Sequence, residues 1–386
     1  MGAYPAAATQ EPVTAGVALA ALIALTVGSA IGCASGNSAD PRSRQASTAI
    51  VLANATLAPR PPPPTPKPPT PGRELALSLP GIVALGRNTT IDLVDGQGTR
   101  TLFRAETGGN AKDPSISPDG RRIAFAYAPP RPESRDTPLL DQLIYSDILV
   151  VDASGGSAHP IARHDRAGAI LEGPRWWSDG KSVLYSYYAP TYRGERLVGE
   201  TYEARSTDIE TGTTTTVVRN ASWIGPGVGG RLAWVHESAA DGPSLRFRST
   251  ITAPDVILVA AGVFDSIVDP RISPIGSEIA FVGARLSSAR PAAADYLGGI
   301  LDRLLAAPAE AHGLPLELWT IPTVGGEPRQ VTQIAEDGLR IAWNAGGDEL
   351  VAAGGGGIYA ISVATGQVRA VHTEGTHGGI DWRSKR

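Results

Sequence analysis

The segment DPSISPDGRRIAFAY, residues 113–127, reads as a strand, a tight turn and a second strand. Its Ser-Pro-Asp-Gly core has the chemistry of a type I turn. Pro presets φ at the second turn position, Asp accepts from main-chain N–H groups just ahead of it, and Gly takes the left-handed conformation that follows. Beyond the turn, Ile123, Phe125 and Tyr127 alternate with other residues at the period of a strand. The same text recurs as GPRWWSDGKSVLYSY (173–187), DPRISPIGSEIAFVG (269–283) and RIAWNAGGDELVAAG (340–354), and more weakly as GPGVGGRLAWV (225–235).

Working outward, each pair is followed by a third strand and a second turn, as in DILVVDASGG (147–156), EARSTDIETG (203–212) and GGIYAISVATG (356–366). A fourth strand follows, such as TRTLFRA, AHPIARH, TTTVVRN, PRQVTQI or QVRAVHT. Four antiparallel strands per repeat make a propeller blade. The first-turn glycines, Gly81, Gly120, Gly180, Gly230, Gly276 and Gly347, count six blades. The blade at Gly81 lacks a first strand, and the chain finishes with GGIDWRSKR, where Trp382 matches Ile116, Trp176 and Trp343. The C-terminus is therefore expected to supply the inner strand of the N-terminal blade, closing the ring without a free edge. The fold class is all-β: a six-bladed propeller over 79–386.

These SPDG-type turns, with the I-A-F strand and the D-x-x-x-G turn behind them, resemble the TolB-like six-bladed propellers. The resemblance implies a periplasmic or surface protein that acts as a protein-binding platform. Similar repeats occur as the non-catalytic domain of prolyl-oligopeptidase-like peptidases, whose catalytic domain has no room in this chain.

Ahead of the propeller, residues 13–33 form an uncharged apolar run of 21 residues, long enough to cross a bilayer as a helix. It ends at Cys33, the single cysteine, preceded by Ser29-Ala30-Ile31-Gly32. This resembles the lipobox of bacterial lipoproteins, although Ala30 stands where leucine is usual and no Lys or Arg precedes the run. Lipidation at Cys33, an uncleaved signal anchor and a cleaved secretory signal all fit. All three place the rest of the chain outside the cytoplasm, and the first two tether it to the membrane. Residues 34–78 read as a disordered linker, with nine prolines in the thirteen positions of PRPPPPTPKPPTP (59–71). Such a tract favours polyproline II and acts as a stalk.

Composition narrows the function classes. A net charge of −4 over 386 residues argues against a nucleic-acid partner, which needs a basic face. One cysteine excludes internal disulfides and thiolate metal clusters. The chain carries no G-x-S-x-G elbow, no H-E-x-x-H and no P-loop. The six histidines are scattered, so neither a metal nor a cofactor is expected, and no catalytic residue is assigned. Asp119 and Asp179 sit in turns, where a carboxylate satisfies main-chain N–H groups. The repeated Trp176, Trp343 and Trp382 read as inner-strand packing.

Two places remain for function. Aligning the inner strands puts Asp113, Gly173, Trp223, Asp269, Arg340 and Gly379 at one position. Asp113, Trp223, Asp269 and Arg340, with His377, are the candidates for the channel mouth. The other place is the face of the long second-to-third-strand loops, 129–146, 189–200 and 285–315. The last carries a helical apolar stripe over 292–307. Tyr145, Tyr192, Arg193, Tyr296, Asp302 and Arg303 are its candidate partner-binding residues. The opposite face carries short turns and is expected to recognise little. The chain thus reads as a monomeric, membrane-tethered platform for a protein or cell-envelope partner. A channel-centred hydrolase or lyase of small molecules or sugars is the alternative.

Overall fold

The computed structural model describes residues 77–130, 145–194, 196–238, 240–285, 316–334 and 336–384. Strands β1 (Ile82–Gly86), β2 (Thr90–Asp95) and β3 (Gly98–Arg104) begin the first blade. Blade two is β4 (Asn110–Ile116), β5 (Arg122–Ala128), β6 (Asp147–Asp152) and β7 (His159–Ala162). Blade three is β8 (Ile170–Trp176), β9 (Ser182–Arg193), β10 (Arg196–Asp208) and β11 (Thr214–Arg219). Blade four is β12 (Ala221–Pro226), β13 (Leu232–His236), β14 (Ser244–Arg248) and β15 (Val256–Val259). Blade five is β16 (Phe264–Ile272), β17 (Glu278–Arg285), β18 (Glu317–Pro322) and β19 (Arg329–Gln330). Blade six is β20 (Arg340–Trp343), β21 (Glu349–Gly354), β22 (Gly357–Ser362) and β23 (Val368–His372). The last strand, β24 (Ile380–Arg383), returns to blade one and pairs antiparallel with β1, Val83 opposite Trp382. Six four-stranded antiparallel sheets thus close into a ring, with the C-terminal strand innermost in the N-terminal blade.

The turn chemistry holds in detail. Gly120 donates its N–H to Ser117 O at 2.9 Å, and Gly180 and Gly276 repeat the bond to Trp177 and Ser273. The six first-turn glycines all adopt positive φ, between +69° and +101°. Asp119 accepts from Ser117 Oγ and Arg121 N, and Asp179 from Lys181 N, so both carboxylates hold turns together. The apolar faces of adjacent blades bury one another. Within blade five, Phe264 packs edge to face on both Phe281 and Trp319.

Two local expectations change. Residues 189–200 are not an irregular loop: β9 and β10 run on through them as a hairpin, pairing Tyr202 with Tyr188 and Leu197 with Tyr192. Tyr and Thr on this stretch favour extended backbone, and Gly194, at φ +61°, turns the tip. Strand β19 is shorter than the expected PRQVTQI. The Thr332 hydroxyl accepts from Leu318 N, and the Glu317 carboxylate accepts from Ile334 N, replacing ladder bonds there. The apolar run ending at Cys33, the linker as far as residue 76 and the helical stripe of 292–307 lie outside the described residues; at the linker's expected end, Leu77 is described and packs against the core of blades one and six. Among the described residues no helix is long and apolar enough to cross a membrane.

Candidate functional site on the propeller axis

The inner strands bulge where they reach the axis. In blade two, Lys112 pairs with Ala126 and Ser115 with Ala124, so Asp113 and Pro114 together face Phe125. The same step places Gly173-Pro174 opposite Tyr185, and Asp269-Pro270 opposite Phe281. A bulge tolerates the proline that a ladder would reject, and it re-aims the side chain beside it. The residues at this aligned position have positive φ in five blades: Asp113, Gly173, Trp223, Asp269 and Gly379. Gly and Asp take that conformation readily; Trp223, at φ +43°, is strained.

The bulged strands of blades two, four and five, with the regular strand of Arg340, bring four of the five channel-mouth candidates together. Arg340 Nε lies 3.3 Å from Asp113 Oδ1, and the Arg340 guanidinium stacks 4.4 Å from the centre of the Trp223 ring. Asp269, almost wholly buried, accepts from Arg175 Nη2 at 2.7 Å, from Arg271 Nε at 2.8 Å and from Ile341 N at 2.9 Å. Burial pushes its pKa up, but the Arg271, Arg175 and Arg340 guanidiniums outweigh this and hold the carboxyl well below the usual range. His377 stands apart from this group. It is exposed, and its ring lies over Gly338 and Gly355, where a Cβ on either would approach it to 2.7 Å.

Three further residues belong to the axis and were not picked out from the sequence: Arg175, Arg271 and Asp381. Arg271 Nη1 is 3.4 Å from Asp381 Oδ1, and Asp381 Oδ2 accepts from Ile116 N at 2.7 Å. Of the four axial Arg–Asp contacts, Arg271–Asp269 lies within blade five and the other three join alternate blades, where the blade skipped supplies Gly or Ala at the matching level. Arg340 to Asp113 passes Gly379, Arg175 to Asp269 passes Gly225, and Arg271 to Asp381 passes Ala342. The signal lies in the inner-strand tetrapeptides DPSI, GPRW, WIGP, DPRI, RIAW and GIDW, whose third column holds Arg175, Arg271 and Asp381.

Below this layer, toward the SPDG turns, the axis widens into a cavity of about 250 Å³. Its walls include Trp176, Trp343 and Trp382, with Arg175, Arg271 and Asp381 among its lining and Pro118, Pro274 and Arg383 beside the turns. The tryptophans pack as expected, and their indole N–H groups are committed to main-chain carbonyls of Ser115, Arg271 and Pro80. All three nonetheless border the cavity.

On the opposite face, Tyr145 stacks on His164 with ring centres 3.8 Å apart, and His164 Nδ1 contacts Asp147 Oδ1 at 2.7 Å. Tyr192 is half-buried and Arg193 exposed near the tip of the β9–β10 hairpin. Tyr296, Asp302 and Arg303 lie outside the described residues. Among the described residues no three His, Cys, Asp or Glu side chains form a group fit to hold a metal ion.

No family model and no curated protein matches the chain. Among solved structures, TolB from Acinetobacter baumannii matches with a TM-score of 0.51 at 16% identity, covering 79% of this chain and 66% of that one. An oligogalacturonate lyase in complex with manganese gives 0.44 at 16% identity, covering 74% and 70%. An oligogalacturonate lyase from Vibrio parahaemolyticus gives 0.43 at 15%, covering 78% and 81%. At such identity the likeness is one of fold, and the fold is that of the TolB-like six-bladed propellers.

Proposed function

We propose that the chain is an extracytoplasmic binding platform. Its N-terminal segment tethers it to the membrane, and a protein or cell-envelope partner engages the face of the long loops. The observation that carries this reading is the β9–β10 hairpin. It runs past the blade and exposes Leu197 and Val198, 40% and 50% accessible, beside Tyr192 and Arg193. Tyr and Arg are residue types enriched in protein-interface cores, and Leu197 and Val198 add exposed apolar surface beside them. The axis favours a scaffold role over catalysis. Asp269 and Asp381 commit their oxygens to main-chain N–H groups and guanidiniums that lock alternate blades together.

The test places a photo-crosslinking residue at Tyr192 and, separately, at Asp119 on the turn face, in intact cells. A discrete adduct from position 192 and none from 119 is expected. An adduct from 119 alone would move the partner to the turn face and overturn the reading.

A further inference from the structure

The axial cavity has features that ring closure does not require. Its lining carries three guanidiniums, Arg175, Arg271 and Arg383, against one carboxylate, Asp381. Asp269, which neutralises two of these guanidiniums, is not part of the lining. Among the described residues, Arg175 Nε and Arg271 Nη2 are buried and have no hydrogen-bond partner. A buried cationic donor without an acceptor is costly, and these two, closed off from water behind the cavity wall, leave positive charge there uncompensated. Burial, and then the nearby Arg175, push the Arg271 guanidinium below its ordinary range, whereas for Arg175 burial is outweighed by Asp269, Asp381 and Asp113, which hold it above its own.

The walls are mixed, with more polar than apolar surface exposed. Trp176, Trp343 and Trp382 contribute to them, and Ile116, Ile272, Pro118 and Pro274 complete the apolar lining. At the turns the surface stays apolar on one side. Ile275 stands in blade five where Asp119 stands in blade two, and it is 67% exposed, with Val228 of the neighbouring blade 63% exposed. At about 250 Å³ the cavity is smaller than the ~300–1,000 Å³ of sites for drug-sized ligands. It suits a small group.

We propose that this cavity is a carboxylate-binding site: a carboxylate is held by Arg175 and Arg271, and the flat or branched apolar group attached to it lies against Trp176, Trp343 and Trp382. Two nitrogens of each guanidinium already serve Pro174, Asp269 or Asp381, so the excess positive charge of the lining, rather than a free donor pair, distinguishes a carboxylate from a neutral isostere. The carboxylate comes from a free small acid or from the C-terminus of a peptide. The site lies on the face opposite the long loops and does not rest on the partner reading above.

The test titrates the full-length protein calorimetrically with two matched pairs: benzoate and benzamide, then acetyl-alanyl-leucine as its acid and as its amide. At least one acid is expected to bind, more than tenfold tighter than its amide and more weakly as salt rises. Binding of benzoate alone identifies a free acid as the source, and preference for the peptide acid identifies a chain terminus. Arg271→Gln should abolish the preference. Because Arg271 also supports the axis, Arg383→Gln at the exposed rim is the second variant, expected to weaken binding about threefold by removing long-range charge. Equal binding of acid and amide, or no binding, overturns the proposal. Acid binding unchanged in Arg383→Gln and in folded Arg271→Gln also overturns it, since the acid then sits elsewhere.

Discussion

The indole N–H of Trp382 donates to the carbonyl of Pro80 at 2.9 Å, joining residues 302 positions apart. Together with the Val83–Trp382 register it fastens the last strand to the first blade. Trp382 is buried among Val83, Leu85, Ala353 and Ile380. Trp382→Ala should cost about 3–5 kcal/mol through lost burial and a residual cavity. Removing 377–386 exposes the whole inner edge of β1 and should unfold or oligomerise the domain, against a total stability of ~5–15 kcal/mol. A truncated protein that melts at the temperature of the full chain would show that the ring does not depend on this strand.

The closure, the blade count and the turn chemistry were legible because each rests on local rules: Gly at a left-handed position, Asp ahead of free N–H groups, apolar residues at a period of two. The axial charges were only half legible. Asp113, Asp269 and Arg340 stand at a repeated position, so alignment found them. Arg175, Arg271 and Asp381 stand two residues on, where alternation alone cannot tell an axial side chain from a buried one. The bulge at Asp113, Gly173 and Asp269 changes which residues face the channel, and Pro114, Pro174 and Pro270 were its visible trace. The hairpin extension was missed because residues 190–199 are neither buried on one face nor alternating, so its strands continue by pairing rather than by pattern.

Asp269 makes stability depend on acid. Its folded pKa is depressed, so its contribution is fully present above the unfolded value of ~3.9 and is lost as pH falls toward the lower folded value. The wild-type melting temperature should therefore drop below about pH 4 more steeply than that of Asp269→Asn, which lacks this titration. At neutral pH the variant should be less stable by about 3–5 kcal/mol, since Arg175 and Arg271 lose their shared buried counter-charge. Parallel stability–pH curves for the two proteins would refute the assignment.

Tethering should depend on Cys33. The uncharged run of 13–33 ends at this single cysteine, so a lipid added there is the simplest anchor. Cells fed an alkyne analogue of palmitate should label the wild-type chain and not Cys33→Ala, and the variant should move from the membrane fraction if its helix is cleaved. Equal labelling of both, or of neither, removes the lipoprotein reading.

The hairpin should be separable from the fold. Beyond the Ala189–Thr201 pair its residues are largely exposed, and the Tyr188–Glu200 hydrogen bond is the main side-chain tie near its base. Replacing 190–200 with Asn-Gly joins the paired Ala189 and Thr201 through a two-residue turn whose twist matches the strands. The loss of one exposed hydrogen bond is worth about 0.5–1.5 kcal/mol, which for a domain of this size shifts the melting temperature by only a few degrees. Leu197, Val198, Tyr192 and Arg193 all disappear with the segment. A crosslinker at Tyr145, on the neighbouring blade of the same face, should then lose most of the partner adduct it gives in the intact protein. Retention of that adduct at full yield would mean that blade three does not hold the partner. A large drop in melting temperature would mean that the hairpin belongs to the core and that its exposed side chains were misread as a docking surface.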